Sequence, residues 1–228
     1  MDTMPKTLRA LFFDFDGVIV DSIETKIEAF RLLFNNYPND VMQKVLDYHK
    51  RHGGISRVDK IALAHKQYIG TPLQYIGTPL TKADLKVWSD RYSELVVEKV
   101  IEVPWIKGAI EFLDSFRDTA IHVFVISGTP EPELKHIIEK REIAEYFQES
   151  LGSPIRKPPH IRRLLDQYNL QPKACVFIGD ALTDYDAAKE TGLHFVGIQG
   201  EVEFPAGTVV LADCQELQLA IDNIFDSK

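Results

Sequence analysis

The stretch Leu11-Phe12-Phe13-Asp14-Phe15-Asp16-Gly17 runs an apolar segment straight into two aspartates, and Asp21 follows five residues after Asp16. A carboxylate at the end of a buried strand is costly unless a cation or a hydrogen-bond donor meets it there. Candidate partners lie far away in the chain. Ser127-Gly128-Thr129 ends a second apolar run, and Gly179-Asp180 ends another. Asp184 and Asp186 follow closely, and Lys157 stands in Gly-Ser-Pro-Ile-Arg-Lys-Pro-Pro. Aspartate and serine cap helices well, which accounts for one acid per strand end. Capping does not account for Asp14, Asp16, Asp180, Asp184 and Asp186 converging with one lysine. That combination is the material of a reactive anionic centre with a built-in countercharge.

Such a centre needs elements that carry distant residues to one edge. Leu8–Phe15 reads as a short buried strand closed by Asp and Gly. From about Ser22 to Lys99 the apolar residues recur at helical spacing, as in Ile23, Ile27, Phe30 and Phe34, then Val41, Val45 and Tyr48. After Pro104 the pattern changes. Apolar runs at 121–127, 173–179, 193–198 and 208–211 predict strands, and helices are predicted at 107–118, 130–142, 158–168, 183–191 and 214–225. Lys157 falls on a loop after residues 148–151. Strands alternating with helices predict an α/β fold, a Rossmann-like parallel sheet covered on both faces. In such sheets ligands gather beyond the carboxyl ends of the strands. The first strand precedes the helical block and its partners follow it. The expected domains are therefore a core of residues 1–21 and 105–228 with a helical cap inserted at 22–104.

Bulk composition narrows the function classes. The chain has 228 residues, 45% hydrophobic and 26% charged, as in an ordinary soluble globular protein. No apolar run reaches membrane-spanning length, and the start lacks an apolar signal core, so the expectation is a cytoplasmic protein with no membrane partner. Cys175 and Cys214 are too few for a disulfide framework and fit reduced thiols. A net charge of −8 argues against nucleic acid as a partner. Charge is uneven, however. Six cations between Lys44 and Lys66 (Lys44, Lys50, Arg51, Arg57, Lys60 and Lys66) face only Asp47 and Asp59. This basic island is either a solvated helix face or a steering surface for an anionic ligand. The heptapeptide Gln-Tyr-Ile-Gly-Thr-Pro-Leu occurs at 67–73 and again at 74–80. Gly-Thr-Pro breaks helices, so the duplication is expected to lengthen a surface connection.

Four ordered motifs resemble those of the haloacid dehalogenase superfamily of phosphohydrolases: Asp14-Phe15-Asp16-Gly17-Val18-Ile19 with Asp21-Ser22, then Ser127-Gly128, then Lys157, then Gly179-Asp180 through Asp184. The resemblance implies that Asp14 attacks phosphorus and that Mg²⁺ lies between nucleophile and phosphate. Its implied ligands are the Asp14 and Asp180 side chains and the Asp16 backbone carbonyl, with Asp184 holding metal waters or supporting the site from behind. Asp16 would serve as general acid and then base. Ser127 and the Gly128 N–H would grip phosphate oxygens, Lys157 would neutralise charge, and Gly17 would allow a sharp turn beside the ligand. Asp21 and Asp186 read more simply as turn and capping acids.

In this family phosphatases and phosphomutases carry a second aspartate where Asp16 stands, because a leaving alkoxide needs a proton. Members that cleave carbon–phosphorus bonds carry a small residue there. The resemblance therefore implies a Mg²⁺-dependent phosphatase for a small phosphorylated metabolite, similar to the phosphoglycolate phosphatase branch. A β-phosphoglucomutase-like phosphomutase is the alternative within the enzyme class, since Gly-Ile-Ser-Arg (54–57) is similar to a cap stretch of sugar phosphomutases. A non-catalytic phosphate- or protein-binding member is the alternative outside it, and such a chain would have lost one of Asp14, Asp16, Lys157 or Asp180. Ser56 and Asp59 look like a helix start. Arg57 then sits in a first turn, where the macrodipole disfavours a cation, unless Arg57 or Lys60 meets a substrate anion. Trp105-Ile106-Lys107-Gly108 departs from the Pro-Gly common in the family. Either a monomer or a homodimer fits.

Overall fold

The computed structural model describes residues 7–69 and 80–226. Six parallel strands form one sheet in the order β3-β2-β1-β4-β5-β6: β1 (Ala10–Phe13), β2 (His122–Pro130), β3 (Glu149–Ser153), β4 (Cys175–Gly179), β5 (His194–Ile198) and β6 (Val210–Leu211). Strand β1 is paired on both sides along its whole length and is fully buried, which suits its unbroken apolar run. Strand order reverses at β1, so the crevice beyond its carboxyl end opens where the chain places Asp14.

Alternate residues of β1 serve opposite faces, as the period of two requires. Leu11 and Phe13 join a core that includes α5 (Ala109–Asp114), α6 (Glu131–Lys140) and α9 (Leu217–Asp226). Ala10 and Phe12 join a second core with α7 (Lys157–Gln167) and α8 (Leu182–Thr191). On that face the Phe12 ring lies 5.0 Å from Phe124 and 6.5 Å from Phe177.

Three departures from the sequence-based expectation concern the sheet and the helix after β3. Residues 149–153 form an edge strand, although Glu-Ser-Leu-Gly-Ser offers one large apolar side chain to an apolar-run criterion. Lys157 is not on a loop but opens α7. Strand β6 is also shorter than the predicted 208–211.

Between β1 and β2 the chain builds α1 (Ile23–Leu33), α2 (Asn39–Arg51), α3 (Arg57–Ala64), a π-helical turn (His65–Ile69) and α4 (Lys82–Glu102). Phe30 of α1 and Phe34 just after it pack against Tyr92 and Trp88 of α4, with ring centroids 4.8 and 5.1 Å apart. Thr81 and Asp84 start α4 with a reciprocal capping box. Most of the duplicated heptapeptide lies outside the described residues. The chain leaves for the insert and returns side by side: the Asp21 N–H donates to the Pro104 carbonyl at 2.9 Å and the Ile106 N–H to the Ile19 carbonyl at 3.0 Å.

The insert is seated on the core by polar and steric contacts. Arg57 of α3 forms a two-pronged pair with Glu133 of α6, one arm at 2.9 Å, and also donates to Ser93 at 2.7 Å. Its guanidinium lies 4.5 Å over the Tyr92 ring. The paired side chains are only 5% and 10% exposed, so little solvent screens them. Beside this pair the insert loop meets the core backbone: a Cβ on Gly128 would lie 2.6 Å from the Gly54 carbonyl oxygen. Arg141 of the core donates to the carbonyls of Val100 and Ile101 at the end of α4 and stacks 3.6 Å over Trp105. Removing one member of a buried ion pair leaves an uncompensated charge. Glu133→Gln is accordingly expected to lower unfolding stability by about 3 kcal/mol in urea titrations. An Arg57→Met/Glu133→Leu double variant should recover most of that loss.

Candidate active site

Asp14 emerges at the end of β1 and is 3% exposed. Its Oδ1 accepts from the Phe15 N–H at 2.7 Å, and its Oδ2 lies 2.9 Å from Lys157 Nζ. The same ammonium bonds Asp184 Oδ1. Helices α7 and α8, packed on the same face of the sheet, therefore deliver Lys157 and Asp184 to the end of β1. Asp184 is wholly buried, and its Oδ2 accepts from the Ala181 N–H at 3.1 Å, so it also caps its own helix. Asp180 ends β4 beside β1. Carboxylate oxygens of Asp14, Asp180 and Asp184 all lie within 4.8 Å of one another. Gly17 makes this closeness possible: with φ at +76° it takes a conformation that disfavours side chains, and a Cβ there would overlap the Asp180 carboxylate.

Three buried acids share one lysine, and their proton affinities show the strain on that arrangement. Burial pushes the Asp14 carboxyl up, Lys157 opposes this, and Asp184 and Asp16 reinforce it. Asp180 is pushed well above the ordinary carboxylate range by burial and by Asp14 and Asp184. Lys157 moves upward, because the pull of Asp14 and Asp184 outweighs the burial that would deprotonate it. More negative charge converges here than one ammonium neutralises. The all-oxygen donor set and its charge excess fit a hard divalent cation.

Asp16 lies apart from that cluster. Its Oδ1 accepts from Ser22 Oγ at 2.6 Å, and its Oδ2 lies 2.5 Å from Lys26 Nζ. Thr129 Oγ1 and Ser127 Oγ donate to Oδ2 from 3.2 and 3.3 Å. Burial alone would raise this carboxyl, but Lys26, Ser22 and Thr129 more than offset it and hold Asp16 below its ordinary value. The two catalytic candidates of the Asp-x-Asp motif are thus driven in opposite directions by their surroundings.

A cavity of about 80 Å³ lies between the sheet edge and the insert. Asp14, Asp16, Asp180, Ser127 and Gly128 line its core side, and Lys26, His49, Arg57 and Lys60 line the insert side. Arg57 is buried but engaged by Glu133. The residues between Lys44 and Lys66 therefore divide. Arg57 and Lys60 turn inward, while Lys44 and Arg51 stay exposed. Asp186 is exposed and does not join the acid cluster, in keeping with its reading as a simple surface or capping acid, because it sits two positions beyond Asp184 on α8 and points to another face. Asp21 is exposed as well.

Sequence reasoning missed Lys26 and Glu133. For Lys26 a signal existed: it lies four residues after Ser22, one helical turn along, on the face that meets Asp16. Glu133 carried no local signal, since its partner is 76 positions away.

Comparison with known proteins agrees with this geometry. Residues 11–198 match the model of the family described as haloacid dehalogenase-like hydrolase. The phosphorylated carbohydrates phosphatase of Thermotoga maritima is 25% identical over 222 residues, covering 92% of this chain and 96% of that protein. A phosphoglycolate phosphatase of Pseudomonas putida is 25% identical over 202 residues, 85% of this chain and 71% of that one. The solved structure of CbbY from Rhodobacter sphaeroides in complex with xylulose-1,5-bisphosphate shares the fold with a TM-score of 0.73 at 20% identity, covering 92% of this chain and 96% of that one. With the four motifs gathered at one sheet edge and the family match spanning them, the chain belongs to the haloacid dehalogenase-like hydrolase family.

Proposed function

We propose that the protein is a Mg²⁺-dependent phosphatase that hydrolyses a phosphate monoester of a small metabolite through an aspartyl-phosphate on Asp14. The observation that carries this reading is the convergence of Asp14, Asp180 and Asp184 within 4.8 Å, with Lys157 Nζ 2.9 Å from Asp14. The Asp14 and Asp180 carboxylates and the Asp16 carbonyl would hold the magnesium ion, supported by Asp184, and the bound ion would screen nucleophile from phosphate dianion.

Each remaining step belongs to residues of the chain. Asp14, held by Lys157 and the Phe15 N–H, attacks phosphorus as the bond to the leaving oxygen breaks. Ser127 Oγ and the Gly128 N–H hold phosphate oxygens, and Lys157 stabilises the charge that develops. Asp16 gives a proton to the leaving oxygen, then takes one from the water that cleaves the acyl phosphate. The carboxylate form that Lys26 favours is the form needed for the second step. For the first, Asp16 must take up a proton against the pull of Lys26. Residues 22–104 act as a cap over this chemistry, and Arg57 and Lys60 belong to its substrate-facing wall. The small cavity supports a compact leaving group.

A panel of phosphorylated metabolites assayed for free phosphate tests the reading. Wild-type protein should release phosphate with Mg²⁺ and stop after chelation with EDTA, with activity restored by added Mg²⁺. Asp14→Asn should reduce turnover by more than about 10³-fold while circular dichroism remains native. Isomerised sugar phosphate without net phosphate release would favour the phosphomutase alternative, and turnover surviving in Asp14→Asn would remove Asp14 as nucleophile.

A further inference from the structure

Two buried cations on the insert side of the cavity differ in how their charge is met. Arg57 is fully engaged by Glu133, Ser93 and the face of Tyr92. Lys60 is 5% exposed, yet no carboxylate of the described residues lies within 4.0 Å of its ammonium. Its hydrogen-bond partners there are His49 Nδ1 at 3.2 Å and the His49 carbonyl at 3.4 Å. Buried charges in proteins are ordinarily paired, and an unpaired one is costly to keep. His49 supplies no countercharge. Its ring packs 4.1 Å from Phe30, and burial together with Lys60, Lys26 and Lys50 keeps the imidazole neutral.

The consequence is visible in Lys60 itself. Burial and the neighbouring Lys26 pull its ammonium down to about 7 against the weaker support of Asp16, Asp180 and Asp14. A lysine placed only for packing would be served as well by an apolar side chain. This one lines the insert side of the cavity, whereas Ser127 and Gly128 line its core side. Lys26 pairs with Asp16 and Arg57 with Glu133; of the two fully buried cations of the cavity, Arg57 and Lys60, Lys60 is the one without an acidic partner in the described residues, and Lys50, which also lines the wall, is half-buried.

We propose that Lys60, supported by His49, is a specificity residue that binds an anionic group on the leaving part of the substrate, so that the substrate is a small phosphate monoester bearing a second anion. This inference rests on the phosphatase reading. Carboxylate and phosphate share the chemistry that an ammonium recognises, and the three-carbon esters 3-phosphoglycerate, glycerol 1,3-bisphosphate and glycerol 1-phosphate separate them: one carries a carboxylate, one a second phosphate, one neither. Wild-type protein should prefer one of the first two over the third by at least about tenfold in kcat/KM, and Lys60→Met should shrink that ratio by about 10- to 100-fold. The thermal midpoint of Lys60→Met should equal or exceed that of wild type, because an unpaired buried charge has been removed. Equal wild-type use of all three esters, an equal proportional loss on all three in Lys60→Met, or a lower melting midpoint would overturn the proposal. p-Nitrophenyl phosphate turnover by wild type reports separately on the underlying reading: with no hydrolysis of it or of any ester, the phosphatase assignment itself fails.

Discussion

Three carboxylates buried around one ammonium form the constraint on which the rest of this structure depends. Lys157 pairs with Asp14 and Asp184, and Asp180 offers an oxygen within 4.8 Å of theirs, in a region with almost no solvent, where like charges repel strongly and each desolvated group raises the cost of its neighbours. Such a cluster is tolerable only when every position is imposed by something rigid. Asp14 and Asp180 are held by adjacent, fully buried strands, and Asp184 and Lys157 by the first turns of helices packed on that sheet. The apolar core beneath, with Phe12, Phe124 and Phe177 in contact, supplies the stability that the charged edge lacks. Stability and reactivity are thus separated by a few ångströms along the same strands.

The insert completes the site rather than merely covering it. Asp16 comes from the core, but Ser22 and Lys26, which set its ionisation, come from the start of the insert, while Ser127 and Thr129 come from the end of β2. The environment of this carboxylate therefore depends on both parts being together. Arg57 and Glu133 hold them so, and the Gly54–Gly128 approach lets the insert loop come down to backbone contact. Lys26 of α1 is the ammonium that keeps Asp16 charged, so the ionisation of a core carboxylate depends on a residue of the insert.

Much of this was readable in residue types and spacing. Aspartates at the ends of apolar runs located the reactive edge, since such placement is costly without a purpose. Alternation of strands and helices specified the sheet, and the helical block at 22–104 announced itself by its period. Strand β3 was not readable, because an edge strand buries one face only partly and needs no apolar run. Arg57 showed a different limit. Its location in a first turn correctly marked an unusual cation, but the anion that meets it is Glu133 of the core, a partner set by docking rather than by local sequence. For Asp186 the spacing from Asp184 was itself enough to place it on another helix face, and the structure leaves it exposed.

By itself the sequence determined the groups available: four aspartates and a lysine, each near the end of an element whose type its neighbours dictate. Local pattern suffices there because strand and helix formation are governed by residues a few positions apart. Only the tertiary structure decided which charges meet. Lys26 rather than a basic-island residue pairs with Asp16, Glu133 claims Arg57, and Lys60 stands without an acidic partner among the described residues. Those outcomes depend on how two separately patterned parts dock. Coulomb and desolvation energies change steeply over the last few ångströms of that approach, which no spacing along the chain encodes.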